Sequence, residues 1–194
     1  MGLLKDSGRD FVQYSRFILP AALVAVLVTV AGVGWFTQPD RFVRGYEPAQ
    51  PISFSHQLHP GTLRIPCAYC HTGTLKSRQA GIPAVEKCMN CHRVTKTDSP
   101  DIRMLASVYD SEKPLRWVRI YSLPDHAYFD HRPHVHAGIL CQICHGEVQT
   151  MNRVYQYMSL RMSNCLGCHR DPKDALPADT EITRGPEHCN VCHR

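Results

Sequence analysis

All ten cysteines of the chain fall in five copies of one pattern: Cys67-Ala-Tyr-Cys70-His71, Cys88-Met-Asn-Cys91-His92, Cys141-Gln-Ile-Cys144-His145, Cys165-Leu-Gly-Cys168-His169 and Cys189-Asn-Val-Cys192-His193. On a helical turn, residues i, i+3 and i+4 share a face. Two thiols and an imidazole presented in this way suit covalent capture of haem. The sulfurs bond the two vinyl groups, and the histidine turns its ring onto the iron as proximal ligand. Zinc ribbons and redox dithiols also use Cys-x-x-Cys. Neither requires a histidine after each pair, and here it follows all five. The expected cofactor is five covalently bound haem c, attached through the ten cysteines, with His71, His92, His145, His169 and His193 on the irons.

Seven of the 12 histidines lie outside these motifs: His56, His59, His126, His131, His134, His136 and His188. "FSHQLHPGTLRIPCAYCH" and "FDHRPHVHAGILCQICH" repeat Phe-x-His-x-x-His ahead of a motif, and the interval from His56 to His131 equals that from His59 to His134. This is a duplicated unit. A six-coordinate haem needs one distal ligand, and His56, His59, His131 and His134 recur in register for that role. Two histidines three apart need not serve the same iron; one closes the local haem while the next reaches a neighbour. The fifth distal ligand stays open. Met151 and Met162, between the third and fourth motifs, would give a His/Met haem of raised potential, although core packing is the ordinary work of methionine. His188 directly precedes Cys189 and is poorly placed to reach the far face of that haem. His136 and His126 remain candidates, each expected to face solvent or a propionate.

The motifs begin at Cys67, Cys88, Cys141, Cys165 and Cys189, and the gap between the second and third is more than twice any other. This gives two haems, an insert and three haems. The insert carries "KPLRWVRIYSLP", a β-prone run expected as a local strand covering a haem face. Residues 17–39 hold no charge. As a helix they would span about 34 Å, enough for a bilayer core of about 30 Å. Pro20 is expected in the first turn of this helix, where its missing N–H costs little. Tyr14 and Phe17 at one end, and Trp35 and Phe36 at the other, suit the interfacial belts. The apolar run is longer than the apolar region of an ordinary signal peptide, so an uncleaved anchor is expected. Lys5, Arg9 and Arg16 before the span keep the N-terminus cytoplasmic and place the haem domain on the periplasmic side of a bacterial inner membrane.

The expected organisation is a cytoplasmic arm (1–16), a transmembrane anchor (17–39), a linker (40–53) and a pentahaem domain (54–194). That domain divides into 54–92 with two haems, the insert 93–128, and 129–194 with three. Five haems on so short a chain leave no room for an ordinary hydrophobic core, so the macrocycles must be the core. With 14 prolines and 12 glycines, short helices at the attachment turns and much loop are expected. The net charge of +5 does not indicate a nucleic-acid partner. Five oxidised haems with their propionates contribute about −5, and many of the 22 Lys and Arg residues are expected to pair with propionates.

The run Phe-x-His-x-x-His before Cys-x-x-Cys-His resembles the class III, cytochrome c7-like multihaem cytochromes. The ordered set "FSHQLH", "CAYCH", "CMNCH", "LPDHAYFDHRPHVHAG", "CQICHG" and "MSNCLGCHR" behind one anchor is similar to the pentahaem subunit of alternative complex III, over about residues 51–194 plus the anchor. The resemblance implies a mostly irregular fold with short α-helices, a class III-like multihaem cytochrome c domain on one N-terminal transmembrane helix. It also implies a subunit of a quinol:acceptor oxidoreductase in a respiratory or photosynthetic membrane. Its partners would be integral quinol-binding subunits, an iron–sulfur subunit, a monohaem cytochrome and a periplasmic carrier or oxidase. Carried over by position, the five motif histidines would be proximal ligands and His56, His59, His131 and His134 distal ones, and a Met at 151 or 162 would suit one His/Met haem. Position 126 departs from the family pattern of an aromatic or other residue, which counts against His126 as a ligand.

The leading function is electron transfer without a substrate of its own, since the chain has no phosphate loop, nucleophile elbow or separate metal motif. The alternative is a self-sufficient quinol dehydrogenase of the NapC/NirT type. Those proteins place a haem soon after the anchor, whereas residues 39–66 separate the span from Cys67. A pentahaem nitrite reductase would need an open iron on a Cys-x-x-Cys-Lys haem, and no such motif occurs.

Overall fold

The structure, a computed structural model, describes residues 3–38 and 43–193, with side chains from Tyr14 onward. The first two residues of the expected arm, the side chains of Lys5 and Arg9, and positions 39–42 at the expected junction of anchor and linker lie outside the described residues. The chain divides into two compact units, Met1–Phe42 and Val43–Arg194.

The first unit is one helix, α1 (Leu3–Phe36). Its stretch Tyr14–Phe36 is long and apolar enough to cross a bilayer, a test that a signal sequence also passes. Pro20 is not in the first turn: α1 already begins at Leu3, so the proline lies inside the helix. There it denies the Arg16 carbonyl its amide donor, a loss that membrane-spanning helices tolerate.

The second unit has no strand among the described residues. Each Cys-x-x-Cys-His begins a short helix or closes one: α2 (Cys67–Cys70), α3 (Val85–His92), α6 (Cys141–His145), α7 (Met162–Arg170) and α8 (Cys189–Cys192). Between them lie α4 (Pro100–Asp110) and α5 (His131–His136), with a π-helical turn at Gln57–Thr62 and a 3-10 turn at Val148–Thr150. The π-turn has a covalent cause. Pro60 has no N–H to give the His56 carbonyl, and the next amide, Gly61, takes it instead at 3.2 Å, one position further than in an α-helix. In the second copy, Pro133 falls within the first turn of α5, where its missing donor disturbs nothing, and the turn stays α-helical.

Helix α4 lies in the insert, and its start was written in Ser99-Pro100-Asp101 ahead of apolar Ile102, Leu105 and Tyr109. It packs on α3 through a small cluster of Ile52, Met89 and Leu105, flanked by Val85, Ile102 and Trp117. The strand expected after it does not form. Residues 113–119 have no regular structure and turn at Leu115, whose carbonyl takes the Trp117 amide at 3.1 Å. The side chain of Gln50 takes a strand's place, donating to the Val118 carbonyl at 3.0 Å and accepting the Val118 amide at 2.9 Å.

The two repeat copies interlock. In the first, the Gln57 amide donates to the Met151 carbonyl (2.8 Å), beyond the third motif. In the second, the His131 amide donates to the Arg78 carbonyl (3.1 Å), between the first two motifs. Each copy's histidine segment is thus seated on backbone that belongs to the other half.

Candidate haem-binding centres

An imidazole ligates a metal through an unprotonated nitrogen, so its other nitrogen is normally occupied as a donor. Of the motif histidines, His71 donates from Nδ1 to the Gly81 carbonyl (2.7 Å), His92 to Thr95 (3.0 Å), His169 to Pro186 (2.6 Å) and His193 to His126 (3.1 Å). Of the repeat histidines, His59 donates to Ser55 (2.8 Å), His131 to Arg78 (2.9 Å) and His134 to Asp130 (2.7 Å). A carbonyl only accepts, so each bond fixes the tautomer and leaves Nε2 unprotonated. His145 instead stands edge-on to Tyr121, centroids 4.7 Å apart, and burial pulls its pKa down to about 4. His56 also falls to about 4, first through burial and then through the charges of His71 and His59. Its Nδ1 is buried without a hydrogen-bond partner.

The two copies hold their histidines alike. Phe54 meets the edge of His56 (4.8 Å, 88°) and lies against His59 (4.4 Å, 25°). Phe129 does the same with His131 (4.8 Å, 86°) and His134 (4.6 Å, 34°). One phenyl ring therefore splays two imidazoles into different directions, the reason for the Phe in Phe-x-His-x-x-His.

Metal–imidazole bonds of about 2.0 Å on both sides of a shared ion, with each centroid about 1.2 Å behind its nitrogen, put two rings roughly 6 Å apart. Three histidine pairs stand at this separation: His59–His92 at 6.2 Å, His131–His145 at 6.5 Å and His134–His169 at 6.0 Å. His126 and His193 are as close, at 5.7 Å, but the bond from Nδ1 of His193 to the His126 carbonyl puts both on one side and leaves no room for a haem between the rings. His56 is left beside His71, close enough to feel its charge. The residues present therefore fit haem c: a helical turn of two thiols for the vinyls, and imidazoles spaced to receive an iron between them.

The attachment turns also neighbour one another. After burial, the main influence raising the Cys88 thiol pKa is Cys70, that on Cys141 is Cys67, that on Cys144 is Cys168, and that on Cys165 is Cys192. Asn90 of the second turn donates to the Tyr69 hydroxyl of the first at 3.2 Å. In space the turns run second, first, third, fourth, fifth.

Comparison with known proteins points to the same cofactor class. Residues 36–118 match the class III cytochrome c family, and residues 127–194 match cytochrome c7 and related cytochrome c. The second unit has the fold class of a class III-like multihaem cytochrome domain, with short helices and no strand among the described residues. In an alignment 189 positions long that covers 87% of each chain, the sequence is 26% identical to a protein of Nitratidesulfovibrio vulgaris named menaquinone reductase, multiheme cytochrome c subunit.

Met162 is 61% exposed at the start of α7, and Met151 is buried with its carbonyl holding the Gln57 amide. His136 and His188 are exposed. His126 is also exposed, yet its ring faces His193 instead of standing free. Tyr121 was passed over in the sequence; besides flanking His145, its hydroxyl accepts the Tyr157 amide at 2.9 Å. Nothing in its spacing marked it.

One glycine is demanded by a candidate ligand. A Cβ on Gly185 would stand 2.8 Å from Cγ of His169, while the Gly185 amide donates to the His169 carbonyl at 2.7 Å. Gly185→Ala is expected to push the His169 ring aside and turn one haem partly high-spin, read by electron paramagnetic resonance of the holo-protein. An unchanged spectrum would show that the loop yields instead.

Proposed function

We propose that the chain is a membrane-anchored pentahaem electron relay within a quinone-linked oxidoreductase complex. The observation that carries the reading is that three of the five motif histidines, His92, His145 and His169, have a second imidazole about 6 Å away, while the five turns follow one another as neighbours. Bound haem c supplies one-electron chemistry at its iron. The chain's part is to fix each macrocycle through two cysteines, close each iron with a second side chain, and set successive centres side by side. His71, His92, His145, His169 and His193 are the proximal ligands, and His56, His59, His131 and His134 are distal ligands of the first, second, third and fourth centres. With spare side chains sufficient to close every iron, no position need be left for a substrate, which favours relay over a reductase of small molecules. The path is second, first, third, fourth, fifth, or the reverse. The helix Leu3–Phe36 anchors the domain to a bacterial inner membrane, with the haems on the periplasmic side.

Resemblance to the pentahaem subunit of alternative complex III implies electrons arriving from integral quinol-oxidising subunits and an iron–sulfur subunit, and leaving to a periplasmic carrier. The name of the N. vulgaris relative favours the opposite direction, from periplasmic carrier to menaquinone. One set of centres serves both, because direction follows the potentials of the partners.

Menaquinol added anaerobically to the detergent-solubilised holo-chain is expected to leave the haem α-band undeveloped, while dithionite develops it fully. Rapid reduction by menaquinol alone would overturn the relay reading and move the chain to the self-sufficient quinol dehydrogenases. In the intact complex, a band that menaquinol develops supports outward flow, and one that menaquinone bleaches supports inward flow.

A further inference from the structure

We propose that Tyr121 is a positioning residue of the third haem: it keeps oxygen acceptors away from His145 and so sets that haem at a higher potential than the second and fourth. The inference rests on the reading of attached haems closed by facing imidazoles. The three facing pairs differ in one respect. At His59–His92 and at His134–His169, both rings donate from Nδ1 to a backbone carbonyl: Ser55 and Thr95 for the first pair, Asp130 and Pro186 for the second. In the pair between them, His131 does so at Arg78. No oxygen among the described residues pairs with His145, which meets the Tyr121 ring instead, with centroids 4.7 Å and planes 71° apart. An aromatic ring is at most a weak acceptor for an N–H. A bond to a carbonyl raises the basicity of a ligating imidazole, and a more basic ligand stabilises ferric over ferrous iron. The haem on His145, lacking that bond, favours its ferrous form by comparison.

The tyrosine is held where it stands. Its hydroxyl accepts the Tyr157 amide at 2.9 Å and donates to the Cys144 carbonyl at 3.5 Å, next to His145 in the attachment turn. With the hydroxyl tied to backbone, the ring is what the imidazole meets. The repeat shows that this contact belongs to the second copy. Tyr46 holds the same place ahead of His56 that Tyr121 holds ahead of His131. Yet Tyr46 is 43% exposed, and His71 beyond it donates to the Gly81 carbonyl at 2.7 Å. The third turn also lies midway in the row, between the first and the fourth. A centre there that is reduced more readily than the second and fourth holds an electron between the two halves of the domain.

The test is made on the full holo-chain in detergent, with haems counted by intact mass. His59→Ala, His131→Ala and His134→Ala each open one face of the second, third and fourth iron. In the ferrous protein only a five-coordinate haem shows an iron–histidine stretch by resonance Raman, and a hydrogen bond from the far nitrogen of the ring raises its frequency. The stretch is expected to be lowest in His131→Ala, where it reports on His145. Adding Tyr121→Ser, which opens room for water at Nδ1, is expected to raise it, and adding Tyr121→Phe to leave it in place because the ring remains. With the histidines intact, Tyr121→Ser is expected to lower the potential of one low-spin haem, the one whose signal His131→Ala removes, and Tyr121→Phe to lower none. A stretch in His131→Ala equal to or above the other two would overturn the proposal, as would a potential unmoved by Tyr121→Ser. Where Tyr121→Ser fails to assemble, the three histidine variants decide. Five attached haems without a five-coordinate one in His131→Ala would overturn the His131–His145 pairing, and the proposal with it. Absence of the haem at Cys141 from the unmodified protein would overturn the attachment itself.

Discussion

Made in a host without the haem-attachment machinery, the chain is expected to leave residues 43–194 unfolded. In detergent, proteases are expected to cut throughout that region while Leu3–Phe36 stays protected by the micelle. The reason is the small amount of apolar surface that the polypeptide closes by itself. A compact chain of 22.0 kDa exposes about 9,300 Å², whereas this one, its bare anchor included, exposes 14737 Å². Among the described residues only Ile52, Met89, Leu105 and Met151 are buried large apolar side chains. That burial falls far short of the conformational entropy of ordering the whole second unit. The attachment turns follow the logic of small metal domains, in which binding free energy is folding free energy. Exchanging all ten cysteines for alanine is expected to give the same protease pattern as the haem-free host. A cooperative thermal transition in either apo-chain, followed by near-ultraviolet circular dichroism, would show that the protein builds its core without haem.

Replacing His59 by alanine is expected to expose the second haem, not the first, although Cys67 is the nearest motif cysteine in the chain. The His59 ring lies 6.2 Å from that of His92, on the far side of the whole first motif. Its repeat mate His134 likewise passes over the third motif to pair with His169. The nearer partners go to the other histidine of each copy: His131 pairs with His145, and His56 lies within reach of the His71 charge. Since Phe54 and Phe129 splay the two rings, a single turn ties two neighbouring haems together. In holo-protein, His59→Ala is expected to convert roughly one haem in five to a high-spin, carbon monoxide-binding form. That signal is expected to vanish when Cys88→Ala and Cys91→Ala are added, because the exposed haem is then no longer attached. Persistence of the signal in the triple variant would place His59 on the first haem and refute the crossed arrangement.

Much of this protein was legible residue by residue. Five Cys-x-x-Cys-His motifs announce attachment turns because the chemistry is local: sulfurs and imidazole must share one helical face, and the spacing alone secures it. The apolar run 17–39 and the doubled Phe-x-His-x-x-His are equally local, and so is the paucity of core in a chain so rich in motifs. What lay beyond the sequence involves partners far along the chain. Pro20 became internal because the helix extends back to Leu3, and the β-prone insert found no strand to pair with, so Gln50 took that role. His126 has no mate in the repeat, and its partner His193 stands at the far end of the chain. Sequence determined that each motif carries the groups that would bind a haem and that histidines were available to close irons. Only the tertiary structure decided which imidazole faces which, because that depends on two halves seated on each other's backbone at Arg78 and Met151, a long-range fit that no local spacing encodes.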